Sequence, residues 1–325
     1  MSQKPLLDIR DLHTSFYTDD GIARAVDGVD LQLYEGEILA LVGESGCGKS
    51  VTAHSVLRLV SPPGRIDSGE ILFQGVNLLS LPYHEMYKVR GGQIAMIYQE
   101  PMSSLNPLMR VGAQIREAIG LHMHKKGDEA HELAVDILRA VGIPDPERRV
   151  HEYPHQMSGG MRQRVMIAMG MVCNPKVMIA DEPTTALDVS IQAQILDLLR
   201  TLVEQRQAAV LLITHDLGVV AETAQRVAVM YTGKVVEEAP VNDLFTSPAH
   251  PYTQGLLMSI PDISRPVPTD RILPTISGTV PSLLNLPSGC RFRSRCEYAM
   301  DVCEKEMPPL VSLTPRHRVR CWLYE

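Results

Sequence analysis

The sequence lacks the features that would place the chain in a membrane, on a secretory route or on nucleic acid. No apolar run in its 325 residues approaches the roughly 20 residues that cross a bilayer as a helix. The start, Met1 to Lys4, has no apolar core of a secretory signal. Because 38 Asp and Glu outnumber 31 Lys and Arg, the net charge is −7, which argues against a surface built for nucleic acid. We expect a cytosolic chain with one domain of ordinary size and a second, smaller one.

Cysteine is scarce and unevenly placed. Two of the six, Cys47 and Cys173, are separate from the rest, which crowd the tail as Cys290, Cys296, Cys303 and Cys321. The spacing has no CxxC pairs of the kind that zinc ribbons use. In a cytosolic chain such clustering indicates a metal site more than disulfides, and four thiolates suit an iron–sulfur cluster. The alternative is four free or zinc-bound cysteines that stabilise a small tail with little core.

A glycine-rich run follows the apolar stretch Ile38 to Val42. It reads Gly43-Glu44-Ser45-Gly46-Cys47-Gly48-Lys49-Ser50, continuing into Val51. The run matches GxxxxGK[ST] between a strand and a helix, which predicts a phosphate-binding loop rather than a simple turn. Glycines let backbone N–H groups converge on phosphate oxygens, Lys49 reaches the terminal phosphates, and Ser50 can ligate magnesium. The sequence therefore predicts a nucleotide-binding protein.

Apolar strands alternate with helical segments along most of the chain, which predicts an α/β fold with a parallel sheet. Residues 112–141 have helical periodicity around a polar break at Lys125 to Asp128, which indicates an inserted helical subdomain at about 101–175. Prolines become frequent and periodicity fades beyond Phe245. We therefore expect a nucleotide-binding domain at 1–245 and a small, irregular, Cys-rich module at 246–325. The individual predictions are strands at Leu6–Ile9, Val29–Leu33, Ile38–Val42, Ile71–Phe73, Ile94–Tyr98, Val177–Ala180 and Val210–Thr214, with helices at Val51–Val60 and Ile191–Leu202.

Two further motifs fit a nucleotide-hydrolysing site. The apolar strand Val177 to Ala180 ends in Asp181-Glu182, the arrangement that brings one carboxylate to magnesium and a second to the attacking water. Upstream, Ser158-Gly159-Gly160 stands at an apparent helix start, where N–H groups and a hydroxyl can bind a phosphate. Each signal is weak alone, and their order along the chain gives them weight.

Together with Gln99, Ala186-Leu187-Asp188 and His215, these motifs follow the order found in ATP-binding cassette (ABC) ATPases, which the chain closely resembles. The resemblance implies an ABC-type P-loop NTPase with a RecA-like core, an antiparallel β subdomain and a helical subdomain that bind ATP and Mg²⁺. It also implies that two cassettes face each other head to tail, so that Ser158-Gly159-Gly160 of one completes the ATP site of the other. One departure is Met161, which stands where the family usually has Gln, and any polar contact of that Gln is lost.

The resemblance also implies roles for individual residues. Glu182 is the general base, and Asp181, Ser50 and Gln99 support magnesium. Gln99 also senses the γ-phosphate, which Lys49 and His215 contact. An aromatic ring stacks on adenine, with Phe16 aligning better than Tyr17, and Asp188 belongs to the nucleotide-binding set.

Three stretches narrow the resemblance to the D-type ATP-binding subunits of dipeptide and oligopeptide importers. They are Gln99 to Pro107, His250 to Thr253 and the Cys-rich tail. The resemblance implies a peripheral subunit on the cytoplasmic face of the inner membrane. Its implied partners are a paralogous second ATPase, two transmembrane permease subunits with a coupling helix near Gln99 to Pro107, and an extracytoplasmic peptide-binding protein, with no nucleic acid.

For the tail, the resemblance implies a [4Fe-4S] cluster on Cys290, Cys296, Cys303 and Cys321, with zinc as the alternative. Six arginines flank these cysteines and could offset the charge of a cluster. They are Arg291, Arg293, Arg295, Arg316, Arg318 and Arg320.

The motifs leave two other functions open. One is the same role in an importer of nickel or another small solute, because the ATPase never touches cargo. The other is a soluble ABC-type mechanochemical ATPase that acts on DNA or ribosomes. The acidic charge, the single phosphate loop without a coiled-coil insertion and the segment after Gln99 argue against the second.

Overall fold

The computed structural model describes residues 4–99, 104–185, 189–259 and 275–325. These residues form two compact units, which we describe separately. The first unit comprises the described parts of Met1–Leu7, Leu33–Ile38 and Leu72–Ile213. The second unit comprises the described parts of Asp8–Gln32, Leu39–Ile71 and Thr214–Glu325.

Strands and helices alternate along the chain as the sequence predicts. The strands are β1 (Leu7–Thr18), β2 (Gly21–Leu33), β3 (Ile38–Val42), β4 (Gly64–Phe73), β5 (Val76–Asn77), β6 (Ile94–Ile97), β7 (Val177–Asp181), β8 (Ala209–Ile213), β9 (Arg226–Tyr231), β10 (Lys234–Pro240), β11 (Val311–Thr314) and β12 (His317–Val319). The helices are α1 (Lys49–Val56), α2 (Met86–Val89), α3 (Val111–His122), α4 (Gly127–Ala140), α5 (Pro146–Arg149), α6 (Gly159–Met171), α7 (Val189–Arg206), α8 (Leu217–Thr223), α9 (Val241–Thr246), α10 (Pro251–Met258) and α11 (Asp301–Lys305).

The core of the first unit is a parallel run of strands in the order β8-β7-β6. Every residue of β7 and β8 is buried, as expected for continuous apolar strands covered on both faces. Helices α3, α4 and α6 pack together, and α6 also packs on β6. The predicted polar break is confirmed, because α3 ends at His122 and α4 begins at Gly127.

The second unit contains the strand order β2-β1-β4 and, separately, the order β11-β12-β10-β9-β3. Strands β1 and β2 are neighbours in their sheet, and the two residues Asp19 and Asp20 connect them. Strand β3 pairs with β9 in parallel, whereas β10 pairs antiparallel with both β9 and β12. The tail is therefore less irregular than expected, because β12 and β11 extend a sheet that also holds β3.

Two predicted helices have different ends, and left-handed residues account for both. Helix α1 ends at Val56 rather than Val60, since Arg58 has a φ of 52° and the Leu59 N–H donates to the His54 carbonyl at 2.8 Å, a pattern that closes a helix. Helix α7 extends to Arg206 rather than Leu202, and left-handed Gln207 follows it.

Candidate active site

The phosphate-loop candidate, residues 43–50, lies in the second unit between β3 and α1. Its backbone needs glycine at two positions. Gly43 has a φ of 148° and Gly48 a φ of 107°, and a Cβ on either would stand 2.1–2.2 Å from a carbonyl oxygen, that of Met230 or Ala25. The sequence pattern GxxxxGK[ST] thus corresponds to a loop whose chain path excludes other side chains.

The start of α1 offers N–H groups to an anion. Gly48, the residue before the helix, supplies no side-chain acceptor to the first turn, so its N–H groups suit a phosphate. Lys49 is 6 % exposed, and its Nζ donates to the carbonyls of Gly43 at 2.7 Å and Glu44 at 3.1 Å. Burial raises the pKa of Cys47, despite the nearby Lys49, so this thiol stays neutral. The loop therefore places the positive Lys49 side chain at the N-terminus of α1, where the helix dipole also favours a negatively charged ligand.

The acid pair lies in the first unit, where β7 ends. Asp181 is buried, and the next residue, Glu182, adopts a left-handed φ of 46°, which turns the chain away from the strand. Oε2 of Glu182 accepts hydrogen bonds from Nε2 of Gln99 at 2.8 Å and from Oγ1 of Thr185 at 2.9 Å. The structure thus brings Gln99 and Glu182 together, as their predicted roles require. Thr185 was missed, because a lone threonine after an acid pair has no distinctive pattern.

The Ser-Gly-Gly motif also lies in the first unit, at the start of α6. Ser158 is exposed and caps the helix, its Oγ accepting from the Met161 N–H at 3.3 Å. A Cβ on Gly159 would meet no atom within 4 Å, so this turn is open to a ligand. Met157 is buried and Met161 partly exposed, which makes both neighbours of the motif apolar packing residues rather than polar contacts.

Gln163, which sequence reasoning missed, connects this helix to the acid pair. It is 2 % exposed, and its Nε2 donates to the Pro183 carbonyl at 2.7 Å. Pro183 directly follows Glu182, so the buried amide fixes the chain next to the predicted general base. A Gln inside a helix and far along the chain from the acid pair gives no signal in sequence until the fold is known.

His215 and the two aromatic candidates for adenine stacking lie in the second unit. His215 is exposed after β8, and the neighbouring Asp216 caps α8 by accepting from Gly218 N–H at 2.8 Å. Phe16 is half-buried on β1, whereas the ring of Tyr17 is covered by the Arg65 guanidinium at 4.4 Å. Asp188, Ala186 and Leu187, like Glu100 to Ser103, lie outside the described residues.

The four tail cysteines line one small cavity in the second unit, together with His250 and Phe292. Burial raises the pKa of Cys290 to about 11 and also raises those of Cys296 and Cys321, which favours neutral thiols in the absence of a metal. Complete burial lowers the pKa of His250 to about 3, so its ring is neutral as well. Within the described ranges, no three His, Cys, Asp or Glu side chains are arranged to hold a metal ion.

The arginines that flank these cysteines pair with acids elsewhere in the second unit instead of facing the cavity as a group. Arg291 bonds Asp27, Arg295 bonds Glu44, and Arg318 bonds Glu238. Arg320 donates to the carbonyls of Val235 and Pro308. These arginines therefore attach the tail to the rest of the second unit, and their compensation of a cluster charge stays a prediction.

Comparison with known proteins matches two families. Residues 26–185 match the family described as ABC transporter, and residues 236–303 match the oligopeptide/dipeptide transporter C-terminal region. A probable peptide ABC transporter ATP-binding protein, y4tR of Sinorhizobium fredii, is 54% identical over 98% of this chain and 94% of its own length. The oligopeptide transport ATP-binding proteins AppD and OppD of Bacillus subtilis are 51% and 50% identical, each over 98% of this chain and over 97% and 88% of their own lengths.

The chain is also similar to solved structures of ATP-binding cassettes. The dimeric, post-hydrolysis ATP-binding cassette MJ0796 with ADP and Pi has a TM-score of 0.66 and 26% identity, over 72% of this chain and 98% of that one. The dimeric ABC transporter cassette MJ0796 has a TM-score of 0.65 and 27% identity over the same shares.

Proposed function

The chain belongs to the ATP-binding subunits of ABC transporters, and from this premise we propose that it is the ATPase that powers uptake of dipeptides or oligopeptides through an importer. The observation that carries the proposal is the combination of the glycine-restricted phosphate loop with the C-terminal region matched over residues 236–303. The relatives that match nearly the whole chain are named for peptide or oligopeptide transport, which supports peptides as the cargo.

We propose the following roles in hydrolysis. Lys49 and the amides of the loop would hold the phosphates, and Ser50, Asp181 and Gln99 are the residues that would support Mg²⁺, which would offset phosphate charge. Phe16, or else Tyr17, would stack on adenine. Glu182 takes the proton of the attacking water, and His215 stabilises charge on the transferred phosphoryl group. The bond from Gln99 to Glu182 supports a shared task, because it orients the carboxylate that must accept the proton.

A second cassette completes each ATP site. Ser158 and Gly159 are exposed at a helix start in this chain, which suits a phosphate presented by a partner. The dimeric structure of the related cassette MJ0796 supports the same arrangement. We propose a head-to-tail heterodimer with a paralogous subunit, in which Asp188 also belongs to the shared sites.

Membrane partners are inferred from exposed apolar side chains in the first unit. Tyr83 is 56% and Tyr87 63% exposed, with their ring centroids 6.1 Å apart, and exposed apolar side chains that lie together mark interaction surfaces. Leu108, after the segment that the resemblance assigns to the coupling helix, is 86% exposed. Within the described residues, no helix is long and apolar enough to cross a membrane. We propose that two permease subunits dock on this unit at the cytoplasmic face of the inner membrane and link the ATPase to an extracytoplasmic peptide-binding protein.

We propose that the C-terminal module, residues 246–325, binds a [4Fe-4S] cluster. Four thiols that share one cavity are a donor set suited to such a cluster or to zinc. Among the described residues these thiols are not arranged as a metal-binding group. The lining of their cavity includes no residue of the proposed ATP site, so we assign the cluster a structural role and no step of hydrolysis. Iron and sulfide in anaerobically purified protein support the cluster, whereas zinc alone refutes it.

Reconstitution tests the proposed function. The chain, its paralogue and two permeases should copurify from membranes, and vesicles containing them should accumulate peptide only with Mg-ATP and the binding protein. Uptake of nickel but not peptide would favour the small-solute alternative. Recovery only with DNA or ribosomes, and never with permeases, would overturn the transporter proposal.

A further inference from the structure

The phosphate loop is attached to the C-terminal module at one residue, Glu44. Both Nη atoms of Arg295 bond the Glu44 carboxylate, at 2.7 and 3.1 Å. The Glu44 backbone N–H donates to the Tyr252 hydroxyl at 2.9 Å. Arg295 and Tyr252 follow Glu44 by 251 and 208 positions, so nothing local in the sequence produces these contacts.

Both contacts come from well-supported side chains. The Arg295 side chain is only 4% exposed, and its Nε also donates to the Ser277 carbonyl at 3.0 Å. Tyr252 is fully buried, with its ring 4.6 Å from that of Tyr231 and 5.5 Å from that of Phe292. Such packing leaves neither side chain free to follow a moving loop, so the loop must conform to them.

We propose that Arg295 and Tyr252 are positioning residues for ATP binding, which neutralise and fix Glu44 so that the loop can accept a nucleoside triphosphate. The inference rests on the proposed assignment of residues 43–50 as the ATP site. Both would act through Glu44, which each of them bonds.

The negative charge of Glu44 opposes the binding of a triphosphate in this loop. A carboxylate inside a loop that binds a triphosphate repels it, and in a partly desolvated site a single charge acts through an effective dielectric of about 20 rather than 80. Glu44 is 30% exposed, so water screens it incompletely. A bidentate guanidinium cancels that charge and fixes the direction of the carboxylate.

The peptide between Gly43 and Glu44 links Tyr252 to Lys49. Tyr252 accepts its N–H, while the carbonyls of Gly43 and Glu44 receive Lys49 Nζ. The orientation of this backbone therefore determines where Lys49 lies. Loss of the Tyr252 hydroxyl should disturb the same lysine that binds the terminal phosphates.

The test measures binding of a fluorescent ATP analogue with Mg²⁺ to the full chain. Arg295→Gln should weaken binding about tenfold at low salt, because it leaves an uncancelled charge beside the phosphates. The loss should shrink towards twofold at about 0.5 M salt. The double variant Glu44→Gln with Arg295→Gln should recover most of the affinity, a rescue that a purely structural role of Arg295 would not produce.

Two further variants separate the parts of the inference. Tyr252→Phe should weaken binding about threefold at every salt concentration, since it removes a neutral hydrogen bond. Arg293→Gln is the matched control from the same segment, because Arg293 bonds Ser288 and Glu304 and not the loop. Its affinity should equal that of the wild type. Thermal unfolding of every variant, recorded in parallel, identifies those that fail to fold.

Two outcomes would overturn the inference, and two others would count against the ATP site itself. If wild-type protein binds the analogue and Arg295→Gln binds equally well, Arg295 does not position the loop. If Arg295→Gln weakens binding but Glu44→Gln does not restore it, the charge argument is wrong. Absence of binding by the wild type, or unchanged binding by Lys49→Ala, would instead refute the proposed ATP site.

Discussion

Glu237 holds the C-terminal module against the cassette, and replacing it with Gln should destabilise both. The side chain is fully buried, and its two oxygens accept the N–H groups of Ala249 at 2.7 Å and His250 at 2.9 Å and bond His317 Nε2 at 2.8 Å. Gln keeps the shape of the side chain but has one acceptor oxygen. Its amide nitrogen must then face another donor.

The size of the effect follows from these three bonds. A hydrogen bond to a charged group contributes about 1.5–3 kcal/mol, and a buried donor left without a partner costs about 1–3 kcal/mol. Since Gln preserves one of the two backbone bonds, we expect Glu237→Gln to lower the free energy of unfolding by about 2–4 kcal/mol. Amide exchange at Ala249 and His250 should accelerate at least about 30-fold.

Urea unfolding and residue-resolved hydrogen exchange check this prediction, with Glu238→Gln as the control. Glu238 is the next residue of β10 and is also buried, but it pairs with Arg226 and Arg318. Its variant should lose stability while leaving the Ala249 and His250 amides protected. An unchanged unfolding midpoint and unchanged exchange in Glu237→Gln would refute the assignment of a buried, bonded carboxylate.

Three other predictions concern catalysis and pH. Glu182→Gln should bind Mg-ATP with wild-type affinity but lower ATPase turnover of the assembled transporter at least about 100-fold; near-normal turnover would exclude Glu182 as the base. Gln163→Ala should lower that turnover several-fold by leaving the Pro183 carbonyl unpaired, and the same rate as wild type would show that this bond does not position the acid pair. Burial raises the pKa of Asp27, but Lys234, Arg291 and His13 lower it more. The stability that the Asp27 carboxylate gives to the fold is therefore complete above the unfolded pKa of about 3.9, and it is lost as the pH falls through the lower folded pKa. Asp27→Asn should lower stability at pH 7, and its melting temperature should fall less steeply than that of the wild type as the pH is lowered. An equally steep fall in both proteins would contradict the ion-pair argument.

Local patterns predicted the parts of this molecule that depend on neighbouring residues. The phosphate loop and the break between α3 and α4 lie where glycine, polar residues and apolar periodicity indicated. The early end of α1 was missed because Arg58 is left-handed, and nothing in an arginine signals that conformation.

Long-range pairs account for what the sequence could not show. The tail arginines were assigned to a metal cluster because the cysteines are their neighbours along the chain, yet Arg295 and Arg291 pair with Glu44 and Asp27, more than 250 positions away. The importer-like stretch His250 to Thr253 had no chemical role in sequence. The fold gives it one, since His250 Nδ1 accepts the Tyr252 N–H at 3.0 Å and Tyr252 reaches the loop.

The pairing of β12 with β10 bears on how this protein avoids aggregation. Without the tail, the middle of β10 would present open backbone donors and acceptors, a template on which strands of other chains can add. Strand β12 pairs with β10 at Glu237 and Glu238 and leaves β11 as the outer strand, four residues long and largely exposed. A cassette cut at residue 245 should therefore form soluble oligomers or precipitate at concentrations where the full chain stays dispersed.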